Sequence, residues 1–181
     1  MNNWYVITGG PSSGKTTLIT ELKKLGHKTI PEAARTIIDS ALANGISIEE
    51  LRSDEERFQH DIVRLKKETE NANNKNTLTF LDRGVQDTVA YMRYYNFDVD
   101  AQLVTLINKS SYKKVFLLEP LPVFEKDYAR TEGKEFADKI HKLIHEVYRE
   151  SSMEPILVPN VSIKERVKII LSNVDREEKN P

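Results

Sequence analysis

A glycine-rich segment that ends in a lysine and a hydroxyl residue lies near the start of the chain. Residues 9–16 have the sequence GGPSSGKT, which fits the pattern G-x-x-x-x-G-K-[ST] of a phosphate-binding loop. Gly9 and Gly14 permit backbone angles that let successive N–H groups converge on phosphate oxygens. Lys15 can reach the β- and γ-phosphates, and the Thr16 hydroxyl can bind Mg²⁺. The segment predicts a nucleoside triphosphate site with bound Mg²⁺.

The surroundings of this segment support the prediction. The preceding residues 4–8 are aromatic and β-branched, as in a buried strand, and the following residues place Leu18, Leu22 and Leu25 at helical spacing. Strand, glycine loop and helix therefore come in the required order. The residues expected to contact the nucleotide are Gly9, Gly10, Pro11, Ser12, Ser13, Gly14, Lys15, Thr16 and Thr17.

A second group of charged residues follows the apolar residues 77–81. Asp82 ends this predicted strand, so its carboxylate is expected at the carboxyl edge of the sheet, where parallel α/β folds bind ligands. There it can bind Mg²⁺ through water or accept a proton from an attacking hydroxyl. Arg83 is expected to face anionic oxygens, and Asp87, one helical turn further on, to orient its guanidinium. The alternative is a helix N-cap with a surface ion pair.

Glu32 and Arg35 follow a short predicted strand and form a further candidate pair. Their three-residue spacing on a helix opened by Pro31 places both side chains on one face. If this helix lies beside the phosphate loop, the pair can contact a phosphate acceptor, and Glu32 is a second candidate for the base that takes the acceptor proton. The alternative for Glu32 is an acid favoured by the helix dipole in the first turn.

Residues 120–134 are rich in charge and lie between a predicted strand and a long predicted helix. Pro120 and Pro122 discourage regular structure, and Gly133 supplies a pliable joint before the helix. A loop of this kind can close over phosphates and exclude water, so the segment is predicted to be a lid with Arg130 as its catalytic cation. The alternative is an ordinary solvated loop.

Two other patterns carry weaker predictions. His141 and His145 lie four residues apart on a predicted helix, as paired metal ligands do, but no acid is placed to complete such a site. Residues 108–111, NKSS, are similar to a guanine-binding NKxD loop except that Ser111 stands where the acid should be. This difference weakens an assignment as a GTPase.

The composition excludes several classes of protein. The chain has 181 residues, which suits one domain. Its 27 Lys and Arg residues against 28 Asp and Glu residues give a net charge of −1. This balance leaves no broad basic surface for nucleic acid. The absence of cysteine rules out disulfides and fits a reducing cytoplasm. No apolar run approaches the roughly 20 residues that span a bilayer, and the first strand begins too early for a signal peptide. We expect a cytoplasmic protein that binds neither nucleic acid nor membrane; its oligomeric state stays open.

Strand-like and helical segments alternate along the chain, which predicts an α/β fold with a parallel sheet. One domain is expected over residues 1–172, followed by a polar tail at 173–181. The four segments ITGGPSSGKTT, PEAAR, FLDRGVQD and DYARTE together resemble a small family of P-loop ATPases and kinases related to the nicotinamide-riboside kinase domain of a bacterial NAD regulator. More distantly, the chain is similar to thymidylate and deoxynucleoside kinases.

This resemblance covers residues 4–172 and implies a five-stranded parallel sheet in the order 2-3-1-4-5 with helices on both faces, a lid, and an acceptor-binding segment at about residues 46–76. The expected catalytic residues are Lys15, Asp82, Glu32, Arg83 and Arg130. The expected substrate-binding residues are Glu32, Arg35, Arg83 and Asp87, and the expected Mg²⁺ ligands are Thr16 and Asp82.

The implied function is an ATP- and Mg²⁺-dependent phosphotransferase that acts on a hydroxyl of a small molecule, with a nucleoside-like compound as one candidate acceptor. A regulatory or switch ATPase that acts through a protein partner is the alternative from another class. A kinase for polynucleotide ends is disfavoured by the neutral charge balance.

Overall fold

The alternating segments fold into a central sheet with helices packed on both faces. The computed structural model describes residues 2–109, 111–122 and 133–174. The strands are β1 (Trp4–Thr8), β2 (Lys28–Ile30), β3 (Thr79–Asp82), β4 (Lys114–Leu118) and β5 (Ile156–Val158). The helices are α1 (Lys15–Lys24), α2 (Ala33–Ala43), α3 (Ile48–Leu51), α4 (Glu55–Ala72), α5 (Val85–Tyr95), α6 (Ala101–Lys109), α7 (Lys134–Glu150) and α8 (Ile163–Ser172).

The strand order is β2-β3-β1-β4-β5, and every neighbouring pair is parallel. The predicted α/β class, strand order and parallel sheet are therefore confirmed. Since β1 is central, the loop that follows it opens at the middle of the carboxyl edge. The ends of β3 and β4 lie on either side of this loop, so residues after those strands meet it.

The two faces of the sheet bury separate apolar clusters because side chains alternate along each strand. Trp4 and Val6 face the cluster that contains α5 and α7, whereas Tyr5 and Ile7 face the cluster that contains α1 and α8. All four side chains are buried. The phosphate loop is thus positioned by a strand that has no solvent-exposed face.

Two details near the β2 edge differ from the sequence prediction. Helix α2 begins at Ala33 rather than at Pro31, because Glu32 has extended backbone angles (φ −62°, ψ 122°) and serves as the N-cap. A short helix that the sequence analysis did not predict, α3, is capped by Ser47, whose side chain accepts a hydrogen bond from the Glu50 N–H. Helices α2, α3 and α4 share a small apolar cluster of their own.

Two predicted segments extend beyond the described residues. Arg130 and most of the predicted lid lie outside them, as do residues 175–181 of the predicted tail. Among the helices of the described ranges, none is long and apolar enough to cross a bilayer.

Candidate active site

The phosphate loop connects the end of β1 to the start of α1. Gly14, the residue before the helix, has a φ of +84°, in the left-handed region that favours glycine. Lys15 begins the helix and is buried, with 1% of its surface exposed. Its Nζ donates to the Gly10 carbonyl oxygen at 2.7 Å and to the Ser13 Oγ at 3.2 Å. The ammonium group therefore lies within the loop.

Helix α7 packs directly against the backbone of this loop. A Cβ atom on Gly10 would lie 2.7 Å from the Ala137 carbonyl oxygen and 3.1 Å from the His141 Cβ. The Gly10 N–H also donates to His141 Nδ1 at 3.4 Å. The glycine at this position is thus required by the close approach of α7, and His141 contacts the loop although the sequence analysis considered it only as a metal ligand.

Replacing Gly10 by alanine should lower both thermal stability and nucleotide affinity. The added methyl group forces the loop and α7 apart, and overpacking of this kind costs about 1–3 kcal/mol. Gly133→Ala is the matched control, since nothing lies within 4 Å of a Cβ added there. Thermal unfolding with and without MgADP measures both effects. A Gly10→Ala protein that is as stable and as responsive to MgADP as the wild type would contradict this packing.

His141 should make stability depend on pH. Burial lowers the pKa of His141, the charges of Lys15 and His145 act in the same direction, and Asp138 and Glu119 oppose them. Because the folded-state pKa lies below that of the unfolded chain, the unfolded state binds more protons as the pH falls. Stability should therefore fall below about pH 6.5, and His141→Asn should weaken that dependence. Denaturant unfolding from about pH 8 to 5 tests it; identical profiles for the two proteins would contradict it.

The second half of the candidate site is the corner between β3 and α5. Asp82 pairs with Ile7 of β1, so its carboxylate is placed at the same sheet edge as the phosphate loop. Arg83 follows with a φ of +69°, which is uncommon for a residue with a side chain. Its Nε donates to Glu32 Oε1 at 2.6 Å, and its Nη1 donates to Asp87 Oδ1 at 2.8 Å. Two carboxylates from different segments thus converge on one guanidinium.

This corner is bonded directly to the phosphate loop and to β1. Arg83 Nη1 also donates to the Gly9 carbonyl oxygen at 3.2 Å, and the Thr8 hydroxyl donates to Asp87 Oδ1 at 2.5 Å. The Arg83 side chain is only 6% exposed. Burial disfavours the charged guanidinium, but the oxygens of Tyr91 and of three carboxylates raise the pKa of Arg83 well above its usual range. The guanidinium therefore remains a fixed cation.

Asp87 is held by four donors within the corner. In addition to Arg83 and Thr8, the Gly84 N–H donates to its Oδ2 at 3.0 Å and the Tyr148 hydroxyl donates to the same oxygen at 2.6 Å. The contact with Arg83 that the four-residue spacing predicts is present. With both oxygens engaged, Asp87 is placed to position Arg83; it also lines the adjacent pocket, and its contact with a substrate stays a prediction.

Lys66 of α4 also contacts this corner, and it was not among the site residues predicted from the sequence. Its Nζ donates to the Arg83 carbonyl oxygen at 2.8 Å, and the residue is 6% exposed. Burial lowers the pKa of Lys66, and surrounding carboxylates, led by Glu70, oppose that effect. The sequence signal that could have identified Lys66 is its position on the apolar face of α4, four residues after Ile62 and eight residues after Phe58.

A pocket opens between α2, α4 and α5, next to this corner. Its wall includes three aromatic rings, and the Arg83 guanidinium carbon lies 5.5 Å from the centroid of the Tyr91 ring. Phe58 and Gln59, within the predicted acceptor segment at residues 46–76, also line the pocket. The lining also includes Pro11, Glu32, Arg35, Arg83 and Tyr91.

The predicted Mg²⁺ ligands share an open groove on the β2 side of the phosphate loop. Thr16 and Asp82 line this groove together with Glu32 and Arg35. Within the described ranges, no cluster of three or more His, Cys, Asp or Glu residues could hold a metal. A hydroxyl and a carboxylate beside a phosphate loop instead fit Mg²⁺ that is bound mainly through nucleotide phosphates and water.

The fold and this site define a P-loop domain of the kinase-like type. The family model described as an AAA domain matches residues 4–166, and the chain belongs to this family. Among curated proteins, none matches the chain.

Solved structures with the same fold include several kinases. The deoxyadenosine kinase from M. mycoides with bound dATP is 16% identical with a TM-score of 0.65, and the match covers 96% of this chain and 100% of that chain. The thymidylate kinase from Ehrlichia chaffeensis is 14% identical with a TM-score of 0.68, covering 95% and 98%. NadR in complex with NR is 14% identical with a TM-score of 0.70, covering 96% of this chain and 50% of that chain. At these identities the likeness establishes the fold, which is that of nucleotide-binding kinases.

Proposed function

We propose that this protein transfers the γ-phosphoryl group of ATP, in a Mg²⁺-dependent reaction, to a hydroxyl group of a small molecule. The observation that carries the proposal is the position of the pocket. Pro11 of the phosphate loop, Glu32 and Arg83 all line it. A molecule bound there would present its reacting oxygen next to a carboxylate and close to the nucleotide site, which is the arrangement that phosphoryl transfer needs.

Each residue of the site has a role in this proposal. Lys15 and the loop amides stabilise charge on the transferring phosphoryl group. Thr16 and Asp82 would hold Mg²⁺, which when bound neutralises charge on the phosphates. Glu32 lies in the pocket wall and is the first candidate to take the acceptor proton, with Asp82 as the alternative. Arg83 orients Glu32 and faces the transferred group.

The charged residues of the described chain that line the pocket are four cations, Arg35, Arg52, Lys66 and Arg83, and two carboxylates, those of Glu32 and Asp87. Arg83 is paired with both carboxylates. The proposal of a hydroxyl as the reacting group therefore rests on the Glu32 carboxylate as its base, and not on the charge of the pocket wall.

A nucleoside is the acceptor class that we favour. The rings of Phe58, Tyr91 and Phe136 offer apolar surface for a planar base. The Gln59 amide in the same wall can both donate and accept hydrogen bonds. The structural neighbours include a deoxyadenosine kinase and NadR with bound NR, which supports this class.

Three further elements of the proposal come from the sequence. Arg130, outside the described residues, keeps its predicted role as the lid cation. A chain without cysteine fits a cytoplasmic location. A switch ATPase that acts through a protein partner remains the alternative activity, and it would need no acceptor pocket.

A γ-phosphate transfer screen tests the proposal. The protein is incubated with Mg²⁺ and γ-labelled ATP together with panels of nucleosides, vitamins and sugars. We expect label to enter one chemically related group of hydroxyl compounds, and Glu32→Gln to lose this transfer. Label released only as inorganic phosphate, at a rate that no panel alters, would favour the switch ATPase.

A further inference from the structure

Arg166 of α8 contacts the phosphate loop although it lies 153 positions from Ser13 in the sequence. The residue is 2% exposed. Its Nη1 donates to the Ser13 carbonyl oxygen at 2.6 Å, and its Nε donates to the Pro159 carbonyl oxygen at 3.0 Å. Its Nη2 donates to the Glu119 carbonyl oxygen at 3.2 Å. One guanidinium therefore joins the phosphate loop to the segments that follow β4 and β5.

The bond to Ser13 fixes the direction of an amide in the phosphate loop. The Ser13 carbonyl and the Gly14 N–H belong to the same peptide group, and the described residues contain no cis peptide bond. In a planar trans peptide the C=O and N–H vectors point in opposite directions. By holding the Ser13 carbonyl oxygen, Arg166 keeps the Gly14 N–H directed away from its own guanidinium.

The backbone at Gly14 lies close to the Arg166 guanidinium. A Cβ atom on Gly14 would lie 3.3 Å from Arg166 Nη1, so the guanidinium is pressed against the loop backbone. The acceptors of Arg166 are neutral oxygens, the three carbonyls and the Asn160 amide oxygen at 3.5 Å. Burial lowers the pKa of Arg166 and the nearby Glu119 carboxylate opposes that effect. A guanidinium with neutral acceptors keeps more of its positive potential for phosphates on the other side of the loop.

We propose that Arg166 is a positioning residue of the phosphate site, which aims the Gly14 N–H at a bound phosphate by holding the Ser13 carbonyl oxygen. The inference rests on the proposed nucleotide site. A lysine cannot replace it, because one ammonium group lacks the planar fork that spans three carbonyls. Residue 166 is therefore expected to act on phosphate affinity through geometry as well as charge.

Isothermal titration with MgADP and with inorganic pyrophosphate tests this role. The proteins are the wild type, Arg166→Met, Arg166→Lys and the control Lys168→Met, which removes an exposed cation from the same helix. Titrations are made well below the unfolding temperature of the least stable protein, so that only folded protein is compared. We expect both Arg166 variants to bind both probes at least about tenfold more weakly than the wild type, and Lys168→Met to bind them normally.

The outcomes separate this inference from the proposed function. Wild-type affinity in Arg166→Lys would show that charge alone suffices and would overturn the positioning role, and this variant decides the question if Arg166→Met does not fold. Equal weakening by Lys168→Met would also overturn it, because a distant surface charge would then have the same effect. A wild-type protein that binds neither MgADP nor pyrophosphate would instead refute the nucleotide site itself.

Discussion

Replacing Lys15 by methionine should reduce phosphoryl transfer by at least about 100-fold. The Lys15 ammonium group lies inside the phosphate loop, bonded to the Gly10 carbonyl oxygen and the Ser13 hydroxyl. During transfer it can turn to the phosphoryl oxygens, where negative charge must be stabilised in a site with little water. Methionine fills a similar volume without a charge, so the fold should persist. Initial rates of γ-phosphate release and transfer measure the loss.

The matched control for this variant is Lys24→Met. Lys24 lies on the same helix, in its last turn, is exposed, and does not line the groove that contains Thr16 and Asp82. It should leave turnover unchanged, since it removes one positive charge from α1 without touching the loop. Normal turnover in the Lys15 variant would refute the assignment of the phosphate site.

The second large effect is expected from Glu32→Gln, which should lower transfer to the acceptor by about 10²–10⁴-fold. A glutamine oxygen can still accept the hydrogen bond from Arg83 Nε, so the corner should keep its geometry while its base is lost. Affinity for MgATP should change little, because the Glu32 carboxylate, which lines both the acceptor pocket and the groove beside Thr16, is already paired with Arg83. Acceptor-dependent rates and nucleotide titrations on the same protein sample measure both quantities.

Asp82→Asn, compared with Glu32→Gln, tests which of the two carboxylates binds Mg²⁺ and which takes the acceptor proton. Asp82 lines the groove that also contains Thr16, so its loss should raise the Mg²⁺ concentration needed for half-maximal rate and lower the rate as well. Glu32 lines the same groove, but its carboxylate is paired with Arg83, so Glu32→Gln should change that Mg²⁺ requirement less than Asp82→Asn does. If both variants raise the Mg²⁺ requirement equally and neither impairs use of the acceptor, the division of roles is wrong.

The fold and the phosphate loop could be predicted because their signals are local. The loop has a fixed spacing of glycines, lysine and threonine, and the strand before it is continuously apolar. The contact of Arg83 with Asp87 is expected from their four-residue spacing, although Arg83, with a φ of +69°, precedes α5. The order of the strands came from the resemblance to a family, since periodicity alone does not state which strands are neighbours.

The contacts across the site could not be predicted in the same way, because they join residues far apart in the chain. Glu32 and Arg83 are separated by 51 positions, His141 and Gly10 by 131, and Arg166 and Ser13 by 153. Only the sheet topology brings these pairs together. The sequence nevertheless contains a signal for Lys66 and Arg166, since each is a cation on the apolar face of its helix.

The placement of Glu32 shows how a local rule can be overridden. The helix dipole favours an acid in the first turn, and the sequence analysis placed Glu32 there. In the structure it precedes the helix as the N-cap and makes no side-chain cap. Its carboxylate instead accepts a charge-assisted hydrogen bond from the buried Arg83, which is stronger than an exposed capping bond.

The fate of the γ-phosphate is the most direct test of the proposed phosphotransferase. Phosphorus NMR of the protein with MgATP and a protein-free cell extract of small metabolites would follow the phosphorus-containing products without prior choice of an acceptor. We expect ADP and a new phosphomonoester signal to grow in equal amounts, and neither to form with Lys15→Met. Growth of ADP matched only by inorganic phosphate would contradict the proposal.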